Sequence, residues 1–300
     1  MGVFMKRLDI TIPSEGEQLA AWLYLPESTK PAPVIVMAHG LGAVRTMRLD
    51  AFAEKYCEQG YACLVFDYRF FGDSSGEPRQ LLNVKKQLED WANAVKFAQQ
   101  EKRVDTSKVI VWGSSFSGGH ALATAASVPG IAGSMSQCPF TNGLASTLAL
   151  NPISSIKVST LGFFDIITSP FKKTPIMVDL AGKPGSAALM CAHDALSGYE
   201  AIKPSNHTIP GYVAARFAYD IIRYFPGKSA AKVTCPALII ACLKDTVAPV
   251  KPTLKYAKQL AQGKLVEFDT GHFDIYVGEW FEQTVAVQIA WLKQHFPIEG

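Results

Sequence analysis

The chain has 300 residues, of which 48% are hydrophobic and 18% are charged. This composition is typical of a globular protein with a large core, and it excludes a disordered or fibrous chain. The net charge is only +3, and the lysines and arginines are scattered along the sequence. A nucleic-acid partner is therefore not expected, because such a surface needs clustered positive charge.

The six cysteines are spread along the chain, and none belongs to a C-x-x-C pair, so no metal or redox motif is predicted. Most lie in apolar surroundings, which is typical of reduced core cysteines. The amino terminus lacks the apolar core and cleavage site of a signal peptide, and no apolar run reaches the length of a membrane span. We therefore expect a cytoplasmic protein without a membrane-spanning segment.

Apolar strands alternate with helical patterns after an opening hairpin. Residues 5–13 and 18–26 are predicted to pair in an antiparallel hairpin. The later patterns predict strands at 33–38, 61–67, 108–113, 131–137, 236–242 and 264–269, and helices at 45–59, 84–101, 116–127, 252–262 and 280–295. Continuous apolar strands that alternate with helices indicate a mainly parallel sheet with helices on both faces.

Residues 139–230 interrupt this alternation with many Pro, Gly, Ser and aromatic residues, and helices are predicted near 153–168 and 212–224. Ligands of open α/β sheets bind at the carboxyl ends of the strands. We therefore interpret this stretch as a helical lid inserted over that edge of a core formed by residues 1–138 and 231–300. A peripheral decoration away from the site is the alternative.

The sequence around Ser115 predicts a nucleophile. An apolar strand ends at Gly113 and a helical pattern begins at Phe116, so Ser115 lies at the apex of a sharp strand-to-helix turn. This is the arrangement of the G-x-S-x-G nucleophile elbow, in which small residues let the strand and helix approach closely. The last position is Ser117 instead of glycine. Ser117 becomes a rival nucleophile only if the strand runs two residues further.

A serine nucleophile needs a base to take its proton and an acid to orient that base. Asp245 follows one predicted strand and His272 follows the next, which gives the chain order Ser-Asp-His that this architecture requires. The alternatives are a helix-capping role for Asp245 and a surface position for His272. Asp269 and Asp274 are weaker candidates for the acid.

A glycine-containing loop follows the strand at 33–38 and predicts an oxyanion hole. A tetrahedral oxyanion needs two fixed N–H donors. We expect one from the backbone of Leu41 and the other from Phe116, directly after the nucleophile. His39 and Gly40 are expected to support this loop without titrating in the reaction, although a plain glycine turn is the alternative.

The other histidines have more modest predicted roles. His120 is expected to pack or hydrogen-bond in the helix after Ser115. His193 and His207 lie in the insertion, where a surface position is favoured over substrate contact, and His295 is expected to be solvated. No pair has metal-ligand spacing, so no metal is predicted.

Together these motifs make the chain resemble the α/β-hydrolases. The segments that carry the resemblance are 38–40, 66–78, 113–119, 243–245 and 271–273. The loop at 67–78 is similar to that of the branch related to X-prolyl dipeptidyl-peptidase and acetyl-esterase-like hydrolases. The resemblance implies an α/β-hydrolase fold with a mostly parallel eight-stranded sheet, a triad of Ser115, Asp245 and His272, and no cofactor.

The sequence thus favours a serine hydrolase that cleaves an ester, thioester or small amide of a small-molecule acyl substrate. Acyl transfer, X-prolyl-type peptidase activity, cofactor-free haloperoxidase or C–C bond chemistry, and non-catalytic ligand binding on the same fold are alternatives. We expect the insertion to decide specificity, with Phe140, Phe163, Phe164 and Tyr212 as candidate pocket residues. The sequence does not decide which acyl chain is preferred. It also does not decide the oligomeric state, for which a homodimer is one possibility.

Overall fold

The computed structural model describes residues 5–28, 30–172, 174–205 and 208–298. Within these ranges the strands are β1 (Met5–Ser14), β2 (Glu17–Pro26), β3 (Ala32–Ala38), β4 (Ala62–Phe66), β5 (Val104–Ser114), β6 (Ile131–Gln137), β7 (Met177–Ala181), β8 (Ala188–Met190), β9 (Tyr212–Ala214), β10 (Ala237–Cys242) and β11 (Gly263–Phe268). The helices are α1 (Leu49–Cys57), α2 (Val84–Ala98), α3 (Phe116–Ser127), α4 (Gly143–Ala149), α5 (Pro152–Thr168), α6 (Ala195–Ala201), α7 (Phe217–Ile221), α8 (Val250–Ala257) and α9 (Gly278–His295).

A central eight-stranded sheet organises the fold, in the order β1-β2-β4-β3-β5-β6-β10-β11. β1 pairs with β2 and β2 with β4 in antiparallel fashion, and the other pairs are parallel. Every residue of β3, β4 and β10 is buried, which requires helices on both faces of the sheet. The predicted fold class, with its opening hairpin and mostly parallel sheet, is confirmed.

Two elements begin four residues away from their predicted positions. α1 begins at Leu49 and not at residue 45, because Arg48 has a left-handed backbone with φ of 74°, which a right-handed helix does not accommodate. β5 begins four residues before its predicted start, at Val104. Residues 105–108 of this strand are polar, and its register with β3 shifts beside Pro33. The apolar pattern therefore does not reveal this part of the strand.

Residues 139–230 contain both helices and strands, so the prediction of a helical insertion is wrong in part. The predicted helix at 153–168 is confirmed as α5. The predicted helix at 212–224 is wrong in its first half, because β9 pairs there with β7, and only α7 follows. β8, β7 and β9 form a separate three-stranded sheet. Strands of three to five residues are too short to be distinguished by periodicity, and their partners are distant in sequence.

The insertion packs onto the sheet. One hydrophobic cluster contains residues of the central strands together with Val158, Leu180 and Phe217 of the insertion. In the described part of the chain, no helix combines the length and apolar character that crossing a membrane requires.

Candidate active site

Ser115 lies at the sharp turn between β5 and α3. Its backbone has φ of 56° and ψ of −120°, a strained conformation for a residue with a side chain. A Cβ atom on Gly113 would lie only 2.0 Å from the carbonyl oxygen of Ser117, and one on Gly40 would lie 2.9 Å from Cβ of Ser115. The glycines are therefore required where the strand, the helix and the neighbouring loop approach one another.

His272 links the other two members of the predicted triad. Its Nε2 lies 2.9 Å from Oγ of Ser115, and its Nδ1 lies 2.6 Å from Oδ2 of Asp245. All three side chains come from loops at the carboxyl ends of parallel strands, which meet at one edge of the sheet. The structure thus brings together three residues that are separated by 130 and 27 positions in the chain.

Backbone amides fix the orientation of Asp245. Its Oδ1 accepts hydrogen bonds from the amides of Val247 and Ala248, at 2.8 Å and 2.7 Å, which leaves Oδ2 for His272. Burial acts to lower the pKa of His272, but the negative charge of Asp245, with a contribution from Cys138, raises that pKa well above its ordinary value. The charge of Asp245 therefore stabilises the imidazolium that forms when His272 accepts a proton.

The weaker candidate residues lie elsewhere. Asp269 is exposed and its Oδ2 lies 2.8 Å from Nζ of Lys244. Asp274 accepts hydrogen bonds from the Gly271 amide and from the Thr270 hydroxyl, so it shapes the loop that carries His272.

Ser117 is fully buried, and its Oγ lies 2.8 Å from the hydroxyl of Tyr68. Tyr68 also accepts a hydrogen bond from Nε1 of Trp91 at 2.8 Å. The hydroxyl of Ser117 therefore points into the core beneath α3, where a substrate has no access.

His39 supports the loop after β3. Its Nδ1 accepts a hydrogen bond from the Gly40 amide at 2.7 Å, and its Nε2 lies 2.8 Å from the carbonyl oxygen of Met47. Burial lowers the pKa of His39 to about 4, so the ring is neutral at pH 7 and donates from Nε2. These two bonds join the beginning and the end of the loop that carries Leu41.

A buried ion pair holds the same loop from the other side. The carboxylate of Asp67 accepts a hydrogen bond from the Arg45 amide at 2.7 Å and pairs with the Arg45 guanidinium. Burial raises the pKa of Asp67, although Arg45 opposes this. A Cβ atom on Gly72 would lie 2.2 Å from Oδ2 of Asp67. The 67–78 loop therefore has a structural role in positioning the loop after β3.

The other predicted histidines are placed as follows. His120 is buried, with Nδ1 2.6 Å from the Tyr224 hydroxyl and Nε2 3.0 Å from Oε1 of Gln87. Burial lowers its pKa to about 3, so it is a neutral packing residue. His193 is exposed. His207 lies outside the described residues.

A cavity of about 320 Å³ lies beside Ser115, between the sheet edge and the insertion. The side chains of Leu41 and Phe116, the predicted donors of the oxyanion hole, line it next to the nucleophile. The insertion contributes Phe140 and residues of α4, α5, α7 and the segment around β8, and the segment after Asp245 contributes residues 246–248. The lining is mainly apolar, and includes Phe140, Leu150, Val158, Met190, Ile221 and Val247.

Of the four predicted pocket residues, only Phe140 lines this cavity. Phe163 and Phe164 are each 51% exposed and Tyr212 is 42% exposed, and none of the three is part of the cavity wall. The wall uses only the first two turns of α5, through Ser155, Val158 and Ser159. Phe163 and Phe164 lie beyond those turns, and Tyr212 lies on β9. The sequence pattern did not show where along α5 the cavity ends.

Cys138 is a site residue that the sequence analysis missed. It follows β6 directly and is buried, with φ of 36°. Its Sγ, a nitrogen of His272 and a carboxylate oxygen of Asp245 lie within 4.8 Å of one another, a spacing that would allow metal binding. Its position at the end of a strand on the catalytic edge was the available signal. Asp245 and His272 are already hydrogen-bonded to each other.

Known proteins resemble this chain along its whole length. Residues 15–149 match the family model of the X-Pro dipeptidyl-peptidase (S15 family). The quorum-quenching protein AidA of Acinetobacter baumannii is 49% identical to this chain, and the match covers 97% of this chain and 96% of AidA. The thiohydrolase aneE of Aspergillus aculeatus is 26% identical over 93% of this chain and 90% of its own. The crystal structure of the α/β hydrolase GrgF from Penicillium superposes with a TM-score of 0.84, at 21% identity, over 98% of this chain and all of that one.

Proposed function

This chain belongs to the α/β-hydrolase superfamily, and from that premise we propose that it is a serine hydrolase which cleaves an ester or thioester of an apolar acyl group. The observation that carries the proposal is the continuous hydrogen-bonded path from Oγ of Ser115 through His272 to Asp245, at 2.9 Å and 2.6 Å. A path of this kind lets a neutral imidazole accept the serine proton as the bond to carbon forms.

The reaction proceeds in two halves. Oγ of Ser115 attacks the carbonyl carbon while Nε2 of His272 takes the proton, and the amides of Leu41 and Phe116 hold the oxyanion. His272 then protonates the leaving alkoxide or thiolate as the tetrahedral intermediate collapses to the acyl-enzyme. In the second half, water gives a proton to His272 and attacks the acyl carbon, and His272 returns that proton to Oγ of Ser115 as the intermediate collapses and releases the acid. Asp245 orients the imidazole throughout.

The acyl group is placed in the cavity beside Ser115. The apolar lining and the volume of about 320 Å³ favour a hydrocarbon chain over a charged or strongly polar group. The name of the relative aneE, a thiohydrolase, supports including thioesters among the substrates. Because α4 and α5 form one wall of this cavity, we propose that residues 139–230 act as a lid over the site and set the chain length that is accepted.

A fluorophosphonate probe and a chain-length series of p-nitrophenyl esters, with one matched acyl thioester, test this proposal. We expect one probe molecule per chain, attached to Ser115, and turnover that rises with acyl length until the cavity is filled. Ser115→Ala should lose both labelling and turnover. Ser117→Ala is the matched control, because it removes a neighbouring hydroxyl that faces the core, and it should keep both.

Two results would overturn the proposal. Retention of labelling in Ser115→Ala would move the nucleophile to another residue. An unlabelled and inactive wild-type protein that still binds long-chain acids would favour the alternative of a non-catalytic binding protein.

A further inference from the structure

The outward side of α5 carries large apolar side chains in a helical stripe. We call this stripe, formed by Ile153, Ile156, Phe163, Phe164 and Ile167, the α5 outer face. These side chains are 49% to 67% exposed. Their spacings of three, four and seven residues place them on one side of the helix.

The opposite side of α5 is fixed against the rest of the insertion. Ser154, Val158, Gly162 and Asp165 are buried there. A Cβ atom on Gly162 would lie 2.7 Å from the carbonyl oxygen of Ala215, so no larger residue fits at this contact. The helix therefore has no room to rotate and bury its apolar outer face within the same chain.

Two contacts of the Asp165 carboxylate hold the inner side of α5 in place. Its Oδ2 lies 2.6 Å from Nε of Arg216, and its Oδ1 accepts a hydrogen bond from the Ile176 amide at 2.8 Å. Rotation of α5 would break both contacts and leave a buried charge unpaired, which is strongly unfavourable. The exposure of the outer face is thus built into the fold.

Two neighbouring side chains enlarge the apolar surface. Leu148 at the end of α4 is 77% exposed, and Phe171 after α5 is 87% exposed. With about 200 Å² for a fully exposed aromatic side chain and somewhat less for Ile and Leu, the seven residues together present on the order of 800 Å². This exceeds the largest apolar patch of a typical monomer, roughly 300–600 Å². It is close to the area that each partner contributes to a stable protein interface, about 800 Å².

The charges around the patch favour a protein partner. Lys157 is the one cation within α5, two lysines follow Phe171 in the sequence, and Asp165, the one acid of α5, is buried and paired with Arg216. Depletion of charge with enrichment of aromatic residues is typical of the centre of a protein interface. A helix that lies in a lipid surface instead carries many Lys and Arg side chains on its polar side, and the inner side of α5 lacks them.

We propose that the α5 outer face is the interface of a homodimer, in which a second copy of this chain lays its own α5 across it. A single stripe of Ile and Phe side chains is complementary to itself when two copies are related by a two-fold axis. Interfaces that are this apolar are typical of permanent assemblies. No other partner is needed to cover the surface, since each copy covers the other.

The test is the mass of the protein in solution, measured by sedimentation and by light scattering after gel filtration. Wild type should have about twice the chain mass of 32.6 kDa. The double variant Ile156→Glu/Ile167→Glu should have the mass of one chain, because it places charge at the centre of the interface. Ile298→Glu, on an exposed residue of the core domain, is the matched control and should remain dimeric.

Circular dichroism and hydrolysis of p-nitrophenyl acetate establish that the double variant is folded. The two exchanged side chains are 67% and 49% exposed and lie outside the cavity wall. A monomeric wild type at micromolar concentration overturns the proposal, as does a double variant that stays dimeric. If the monomeric wild type floats with phosphatidylglycerol vesicles and the double variant does not, the face is a lipid-binding surface instead.

Discussion

The two sides of the candidate active site are held by different kinds of interaction. On the sheet side, Ser115, Asp245 and His272 are buried and joined by directional hydrogen bonds of 2.6–2.9 Å. On the insertion side, the cavity wall combines large apolar side chains, among them Phe140, Met190 and Ile221, with small side chains of α4 and α5. Hydrogen bonds fix atoms to a few tenths of an ångström, whereas apolar packing fixes mainly volume. We infer that changes on the sheet side affect the reaction itself, and that changes on the insertion side affect which substrate is accepted.

The largest expected effect is on the sheet side. His272→Ala should lower kcat/KM by about 10⁶-fold, because a triad acts as a unit and loss of either the nucleophile or the base removes nearly all of its contribution. His120→Ala is the matched control, since His120 is also buried, its nitrogens contact Tyr224 and Gln87, and its ring touches the site only through packing on Phe116, so a modest loss is expected. The measurement is steady-state hydrolysis of one p-nitrophenyl ester. Comparable losses in the two variants would show that the effect comes from packing.

Asp245→Asn should lower kcat by about 10⁴-fold, because the amide no longer holds the imidazole in the required tautomer. The pH profile gives a second readout. Only neutral His272 can accept the serine proton, so activity falls as the pH drops through the pKa of His272. Since Asp245 raises that pKa above its ordinary value of 6.5, the acid limb of wild type should lie above pH 6.5.

In Asp245→Asn the acid limb of the pH profile should move to lower pH, because the negative charge that raises the pKa of His272 is gone. The comparison uses kcat/KM, which reports on the free enzyme. A limb at the same pH in wild type and Asp245→Asn would mean that another group governs the profile, with Cys138, whose Sγ lies within 4.8 Å of a His272 nitrogen, as the candidate.

A smaller effect is expected for the buried ion pair between Asp67 and Arg45, which holds the loop after β3. Asp67→Ala should lower the free energy of unfolding by about 3–5 kcal/mol, because it leaves the buried Arg45 without this partner. Asp269→Ala removes an exposed ion pair to Lys244 and should change it by about 0–1 kcal/mol. Urea denaturation of both variants measures the difference. Equal values would contradict the role of Asp67 in holding the loop after β3.

The same contrast explains what the sequence could predict. The elbow around Ser115 and the strand ends before Asp245 and His272 are local patterns, and the parallel sheet necessarily brings its strand ends to one edge. The bounds of α3 and β6 were predicted to the residue. The place of Cys138 beside the triad was not predicted, because it depends on which strands are neighbours in the sheet.

The insertion could be predicted far less well. α5 was found because its length gives a clear helical period, but β7, β8 and β9 are too short for that. Phe163 and Phe164 were assigned to the pocket because an aromatic pair outside the sheet suggested a ligand-binding role. The structure places them on the outer face of α5, and that placement depends on the packing of Gly162 and Asp165, which sequence periodicity does not resolve.

The smallest expected effect is on the insertion side, and it tests most directly whether that side sets specificity and the sheet side sets the reaction. Val158 lies on the inner side of α5 and lines the cavity, so Val158→Phe should shorten the space for an acyl chain. We expect kcat/KM for long-chain p-nitrophenyl esters to fall relative to the acetyl ester by about 1–3 kcal/mol of discrimination, or roughly 10–200-fold. Hydrolysis of the acetyl ester and labelling of Ser115 should be nearly unchanged. Phe163→Ala, on the same helix but outside the cavity wall, should leave the chain-length profile as in wild type. A uniform loss across all chain lengths in Val158→Phe would place acyl binding elsewhere, and a shifted profile in Phe163→Ala would restore that residue to the pocket.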